Sequence, residues 1–223
     1  YGGSKNANII DGNTNIKITA GTISNVYGGS KEGNITGNTN VAITGGKISN
    51  ILCGGNYQGN ITGDTQIEIT NGTIKSVCGG NYQGNITGNT NVTITGGKIN
   101  GIIYGGSNEG IITGTANTKI TGGTISANIY GGCNTGSIIS DAEANIVGGT
   151  NLQIAGRTIG TYKIYGGSNS GSITGNVNIT LTNNTFGATT IYRGSNSGSI
   201  TGNITSTIEN ITFTSTSANL YGG

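Results

Sequence analysis

The stretch GNITGNTNVTITGGKI, residues 84–99, decides the fold of this chain. It has a close copy in GNITGNTNVAITGGKI, residues 33–48, and a looser copy in GNITGDTQIEITNGTI, residues 59–74. In each copy, short alternating runs of Ile, Val and Thr are separated by Gly and Asn, a pattern typical of brief β-strands joined by tight turns. A chain built from such copies is expected to stack them one upon another.

The copies belong to a repeat of about 26 residues. Each repeat begins with a short mark in which Tyr or Cys is followed by Gly-Gly. The marks start at Tyr1, Tyr27, Cys53, Cys78, Tyr104, Tyr130, Tyr165 and Tyr221, and a Tyr-Arg-Gly variant starts at Tyr192. The first six marks lie 25 or 26 residues apart, and the later intervals are longer. In the longest interval, between Tyr130 and Tyr165, the sequence predicts an insertion at about 139–149, which reads ISDAEANIVGG.

Aligned on these marks, the aliphatic residues fall into five columns per repeat. One column contains Ile35, Ile61, Ile86, Ile112, Ile138, Ile173 and Ile200. Two others alternate along a strand with period two, and in the long interval we assign Leu152 and Ile154 to them. Since a β-propeller blade needs about 40 residues or more, the pattern predicts an all-β, parallel β-solenoid of about eight coils that forms a single domain over residues 1–223.

Composition excludes most other classes. The chain has 45 Gly, no Pro, Met, His or Trp, 8% charged residues and a net charge of +2. Without a basic run, a nucleic-acid partner is not expected, and without roughly 20 consecutive apolar residues, neither is a membrane span. The absence of His removes Ser-His and Cys-His nucleophiles, and the acidic residues are dispersed except for Asp141 and Glu143. We therefore expect no enzyme activity, no metal centre and no cofactor.

In-register stacking brings equivalent polar residues together. Two corner columns are expected, one of Asn34, Asn60 and Asn85 and one of Asn38, Asp64 and Asn89. The Tyr marks should form an interrupted aromatic column. Tyr57 and Tyr82, in the twin segments NYQGNIT, are the candidates for a surface aromatic site that binds sugar rings.

The three cysteines leave alternatives open. Cys53 and Cys78 occupy the Tyr mark on consecutive coils, which places their Cα atoms about one strand spacing apart, within reach of a disulfide. Parallel Cβ vectors sit wider than a relaxed bridge prefers, so two free thiols are the other alternative. Cys133 has no partner in the repeat and is the candidate for a thiol that joins another chain, unless it is an inert surface thiol.

An exposed column of Thr19, Thr44, Thr70, Thr95 and Thr121 raises the alternative of an ice-binding face. Its neighbouring column holds Lys17, Ala42, Glu68, Thr93 and Lys119, so paired Thr residues occur on one strand of the five. Charged residues would interrupt the regular face that such a function needs.

The repeated unit GNITGNTNVTITGGKI with its YGG or CGG mark resembles Gly/Asn/Thr-rich adhesin-like repeat proteins of microbial cell surfaces. The resemblance implies a secreted, parallel β-helical stalk that attaches to surfaces or neighbouring cells. The interpretation is a structural segment of an extracellular, cell-surface fibre. Because the first and last segments both resemble internal coils, we expect continuation in a longer chain or self-association along the axis. A surface- or glycan-binding adhesin module is the alternative.

Overall fold

The structure is a computed structural model, and it describes residues 1–5, 9–140, 142–147, 152–154 and 162–222. Within these ranges it contains β-strands and turns but no helix. The strands, in chain order, are β1 (Ile9–Ile10), β2 (Thr14–Ile18), β3 (Thr22–Tyr27), β4 (Asn34–Ile35), β5 (Thr39–Ile43), β6 (Lys47–Cys53), β7 (Thr65–Ile69), β8 (Thr73–Cys78), β9 (Thr90–Ile94), β10 (Lys98–Ile99), β11 (Ile102–Tyr104), β12 (Ile111–Ile112), β13 (Ala116–Ile120), β14 (Gly123–Ile125), β15 (Asn128–Tyr130), β16 (Ser137–Ile138), β17 (Ala142–Val147), β18 (Leu152–Ile154), β19 (Tyr162–Tyr165), β20 (Val177–Thr182), β21 (Thr185–Phe186), β22 (Thr189–Tyr192), β23 (Ile204–Glu209), β24 (Thr212–Phe213) and β25 (Asn219–Tyr221).

The strands form a parallel β-solenoid, which confirms the predicted fold class. One side is an eight-stranded sheet in the order β2-β5-β7-β9-β13-β17-β20-β23, so the chain makes about seven turns from its first to its last strand. A second side is a thirteen-stranded sheet that extends from β3 to β25. The third side is a narrow strip made of β1, β4, β12, β16 and single bridges that join Ile35, Ile61, Ile86 and Ile112.

Equivalent residues of successive copies pair directly, as the repeat predicts. Thr39 pairs with Thr65 and Val41 with Ile67, and the same register continues into β9. In the strip, Ile35 pairs with its equivalent Ile61 in the next coil. In strands β5, β7 and β9 the register places inward aliphatic side chains on their counterparts in the next coil, so a one-residue slip would turn a whole strand inside out.

The core runs along the axis in two parts. The larger part lies between the eight-stranded and thirteen-stranded sheets and includes Ile69, Ile94 and Leu52, which are fully buried. The smaller part lies behind the strip, where Ile61 and Ile86 pack. No single coil encloses either part, because each buried Ile is covered by the coils above and below it.

The long interval between Tyr130 and Tyr165 corrects the predicted insertion at 139–149. The strand β17 pairs with β13 on one side and with β20 on the other, so residues 142–147 belong to the eight-stranded sheet. Ile154, assigned to that sheet from the sequence, instead pairs with Ile125 in the thirteen-stranded sheet. The surplus residues therefore come after β17, where residues 148–151 and 155–161 lie outside the described part of the chain. Asp141, just before β17, lies outside it as well.

Two buried polar columns accompany the aliphatic ones. Thr39, Thr65 and Thr90 each donate a hydroxyl hydrogen bond of 2.7–2.8 Å across the interior to a glycine carbonyl of the next mark. In the second column, the side chain of Asn81 accepts the backbone N–H of Asn56 at 2.7 Å. These bonds satisfy buried backbone groups at the bend that follows each mark, where no strand partner is available.

The two predicted Asn corner columns are also present. Asn34 Oδ1 accepts the N–H of Asn60 at 2.8 Å, and Asn60 Oδ1 accepts that of Asn85 at 2.9 Å. In the other column, Asn38 and Asp64 accept the N–H groups of the residues one coil further on, at 2.8 and 2.7 Å. At both corners, each coil is thus hydrogen-bonded to the equivalent corner of the next coil.

Candidate functional site

A column of stacked tyrosines runs along the solenoid axis, at the ends of successive strands of the thirteen-stranded sheet. The rings of Tyr104, Tyr130, Tyr165, Tyr192 and Tyr221 stack with centroids 4.6–5.2 Å apart. At the other end of the solenoid, Tyr1 and Tyr27 stack at 5.2 Å. Each such contact contributes about 0.5–1.5 kcal/mol beyond the burial of the rings.

The column is interrupted where Cys53 and Cys78 replace Tyr. Here Tyr57 and Tyr82 pack against the two cysteines and Tyr27. Their rings stack on each other at 5.2 Å, and the ring of Tyr57 meets that of Tyr27 edge to face at 5.3 Å. The aromatic rings that the mark lacks in these two coils are therefore supplied by residues four positions further along the chain.

The sequence contained a signal for this exchange that a search for exposed aromatics missed. In coils with a Tyr mark, the residue four positions later is Lys or Asn, as at Lys31, Asn108 and Asn134. In the two coils with a Cys mark, that residue is Tyr. A small residue at the mark thus occurs together with a large one at the fourth position, which indicates that the two share one space.

We predict that this shared space makes the two positions energetically coupled. Replacing Cys78→Tyr alone should destabilise the fold by about 1–3 kcal/mol, because the new ring enters the space of Tyr82. Adding Tyr82→Asn, which restores the combination found at Tyr104 and Asn108, should recover most of that loss. Urea unfolding of the wild type, both single variants and the double variant gives the coupling energy. Strictly additive effects would show that the positions do not share space.

Both thiols of the Cys pair are free and fully buried. Cys53 pairs with Cys78 in parallel register, and the structure contains no bond between their sulfur atoms. Cys78 Sγ lies 3.4 Å from the carbonyl oxygen of Asn81 and 3.5 Å from that of Gly106. Burial raises the pKa of Cys53 well above its ordinary value, with the neighbouring Cys78 adding to the effect.

Cys133 is fully buried, whereas a thiol that joins another chain would have to be exposed. It lies in the same column as Asn56 and Asn81. Its Sγ accepts the backbone N–H of Ser107 at 3.2 Å, and its own N–H is accepted by Ser168 Oγ at 3.0 Å. Cys133 therefore takes the place of a serine in a buried hydrogen-bond column, and the folded coil shields it from another chain.

The buried thiols and phenols predict a loss of stability at alkaline pH. Burial raises the pKa of Cys133 from 9.0 to about 12 and that of Tyr130 from 10.0 to about 12. The unfolded chain loses these protons at lower pH than the folded chain, so the stabilisation is complete below about pH 9 and declines between pH 9 and 12. Urea midpoints measured from pH 8 to 11 should fall accordingly. In Cys133→Ser, which restores the usual residue of the column, the fall should be shallower, and an unchanged slope would contradict the assignment.

Tyr57 and Tyr82 remain the candidates for a surface aromatic site. Both are half-buried, and together with Tyr27 and Tyr104 they line a groove of about 390 Å³ that also presents Asn25. One face of each of the two rings is occupied by the other ring. The groove accordingly offers ring edges and phenol hydroxyls to a ligand more than open ring faces, and sugar binding at this place stays a prediction.

The Thr column weighed for ice binding lies on the surface beside the eight-stranded sheet. Thr44, Thr70 and Thr95 are exposed, and each hydroxyl lies 3.4–3.5 Å from a backbone carbonyl of the coil before it. The neighbouring column has the predicted register, with Lys17 opposite Ala42 and Ala42 opposite Glu68. Charged side chains therefore do interrupt this face.

In the described ranges, Cys, Asp and Glu side chains do not gather in any group of three or more that could hold a metal ion. Asp141, one of the two acids that the sequence places close together, lies outside those ranges. The absence of catalysis is still a prediction.

Among the residues that the structure describes, no helix has the length and apolar character needed to cross a membrane. No protein-family model, curated protein or solved structure matches this chain.

Proposed function

We propose that this chain is a structural segment of an extracellular, cell-surface fibre or stalk, and that axial stacking of its coils is its working property. The stacking continues within a longer chain or between copies placed end to end. Cell-surface placement rests on the resemblance of the repeated unit to adhesin-like repeat proteins. The mechanical part of the proposal rests on the contacts between coils.

The observation that carries the proposal is the exposure, in the last described coil, of residues that are buried in the coil before it. Leu220 is 49% exposed, whereas Ile191, its partner one coil below, is fully buried. Likewise Phe213 is 39% exposed above a buried Phe186. One more coil of the same kind would cover both side chains and pair the open backbone edge.

The Tyr column supports the same arrangement. Tyr221 is 49% exposed at one end of the stack, and Tyr1 is 54% exposed at the other. A coil placed on either end in register would add a stacked Tyr pair of the kind that joins Tyr192 to Tyr221 at 5.0 Å. Both ends of the described stack therefore present an exposed Tyr of the same column.

Electron microscopy and sedimentation of the purified chain test the proposal. We expect rods that lengthen with concentration and an axial repeat of about 4.8 Å. Leu220→Lys, which puts a charge on the end surface, should shorten them, whereas Thr207→Lys, on the outward side of the same coil, should not. A monomer whose terminal coils protect their amides from exchange as well as the central coils would refute the proposal.

A glycan-binding module is the second candidate function, and the half-exposed pair Tyr57 and Tyr82 favours it. Binding of a soluble oligosaccharide that disappears in Tyr57→Ala and Tyr82→Ala would support it. The ice-binding alternative is less favoured because of Lys17 and Glu68, and a thermal hysteresis measurement tests it directly.

A further inference from the structure

A shallow trough of about 650 Å³ runs along the outside of the narrow strip. We call it the Asn–Thr trough. One rim consists of Asn34, Asn60, Asn85 and Ile111, and the other of Thr36, Thr62, Thr87, Thr113 and Ile139. Between the rims, the Ile side chains of the strip turn into the core, as the 1% exposure of Ile61 shows. The floor is thus formed by the backbone of the strip.

The Asn rim presents a row of oriented hydrogen-bond donors. The Oδ1 atoms of Asn60 and Asn85 accept backbone N–H groups of the next coil at 2.9 and 2.8 Å, which fixes both amides. Both residues are exposed. Their Nδ2 groups donate no hydrogen bond to any other residue that the structure describes. The two donors lie in consecutive coils, about 4.8 Å apart along the axis.

The opposite rim adds hydroxyl groups and then becomes apolar. Thr62, Thr87 and Thr113 are exposed and succeed one another in consecutive coils. In the next coil, Ile139 takes the same place with 50% of its surface exposed, and across the trough Ile111 is 43% exposed. Isolated exposed aliphatics are ordinary, but these two line the same trough and occupy columns where the repeat otherwise has Thr in one case and Asn or Ser in the other.

Charge and shape decide which kind of ligand fits. All residues that line the trough are uncharged, which disfavours nucleic acids and polyanions. A peptide would bind best by adding a strand to an open edge, but the strip's backbone is already paired on both sides at Ile61 and Ile86. A concave surface interrupted by two Ile side chains is poorly suited to a flat ice plane.

We infer that the Asn–Thr trough binds an extended, neutral polysaccharide whose chain runs parallel to the solenoid axis. Sugar hydroxyls both donate and accept hydrogen bonds, as the amide and hydroxyl groups of the two rims require. The C–H faces of pyranose rings are apolar and would lie over Ile111 and Ile139. In a β-1,4-linked chain, one sugar residue is nearly as long as one coil spacing, and alternate sugars are turned over. Every second sugar, two coils further on, would therefore meet equivalent groups in the same orientation.

This inference holds whether or not the solenoid assembles into filaments, and it names a site different from Tyr57 and Tyr82. Isothermal titration calorimetry with β-1,4-linked hexasaccharides of glucose and of N-acetylglucosamine tests it. Because the trough spans several coils, at least one of the hexasaccharides should bind at least tenfold more tightly than the corresponding trisaccharide.

Variants can be chosen that preserve the fold. Thr62→Val with Thr87→Val removes two hydroxyls while keeping the side-chain shape, and it should weaken binding at least tenfold. The matched control is Thr44→Val with Thr70→Val, in the exposed column beside the eight-stranded sheet, which should leave binding unchanged. Ile139→Thr, which restores the usual residue of the rim, should weaken binding several-fold by removing the apolar contact.

Three outcomes would overturn the inference. The first is the absence of binding by both hexasaccharides at millimolar concentration. The second is binding that is lost in Tyr57→Ala or Tyr82→Ala but kept in the trough variants, which would place the glycan in the other groove. The third is thermal hysteresis that disappears in Thr62→Val with Thr87→Val without any glycan binding, which would make the strip an ice-binding face.

Discussion

Replacing Gly79 by Ala should destabilise the solenoid by about 3 kcal/mol or more, because the central coils could no longer close on each other. A Cβ atom at this position would lie 1.9 Å from the carbonyl oxygen of Gly105 and 2.8 Å from Val92 Cγ2. The first of these is backbone of the next coil, so relief requires the coils to separate. Since the free energy of unfolding of a whole domain is roughly 5–15 kcal/mol, this loss would remove a large part of the stability.

The matched control is Gly222→Ala, in the same Tyr-Gly-Gly mark of the outermost coil. There the nearest atom to an added Cβ is Arg193 Nη1, at 3.9 Å. We expect the control to stay within about 0.5 kcal/mol of the wild type. Urea unfolding followed by circular dichroism measures both variants. If Gly79→Ala were as stable as Gly222→Ala, close contact between coils would not be the reason for glycine in the mark.

Asn81→Leu should destabilise the fold by about 3 kcal/mol although the two side chains have the same branched arrangement of heavy atoms. The change removes the acceptor of the Asn56 N–H and the donor that Asn81 Nδ2 gives to the carbonyl oxygens of Gly59 and Asn85, at 3.1 and 3.2 Å. A buried N–H left without an acceptor costs about 1–3 kcal/mol by itself. The variant tests whether hydrogen bonding or shape holds the bend after the mark.

Asn81→Ser is the matched control for this prediction. Serine already fills this column at Ser107, whose Oγ accepts the N–H of Asn81 at 3.2 Å. The control should therefore lose clearly less stability than Asn81→Leu. Unfolding midpoints compared at equal m-values separate the two variants. A leucine variant at least as stable as the wild type would show that the buried column acts through packing alone.

The repeat by itself determines most of the fold. Identical strands at a fixed period can bury their aliphatic faces only by stacking, so the marks and the Ile columns were enough to predict parallel strands, their register and the Asn corner columns. The period also locates the surplus residues of the long interval. Ile112 precedes Ala116 by four residues, and Ile138 precedes Ala142 by the same distance. The strand β17 therefore begins at its regular place, and the surplus residues must follow it.

The predicted assignment of Leu152 and Ile154 to the eight-stranded sheet is wrong because it rested on hydrophobicity alone. Leu152 and Ile154 form a stronger apolar pair than Ala144 and Ile146, yet Ala144 and Ile146 pair with Thr118 and Ile120. In a solenoid the register is set by main-chain pairing that continues from the previous coil, and a weakly apolar strand can keep its place because its neighbours on both sides fix it.

The sequence by itself determined that this chain is a parallel β-solenoid, because the hydrophobic periodicity and the glycine spacing are local properties that repeat. Only the tertiary structure decided what individual polar and aromatic residues do. Cys133 sits in a buried serine column, Tyr57 and Tyr82 fill the space that Cys53 and Cys78 leave, and Asn81 faces inward. Each of these roles depends on which residues stand one coil above and below, and such neighbours, about 26 residues away in the sequence, are brought together only when the coils stack.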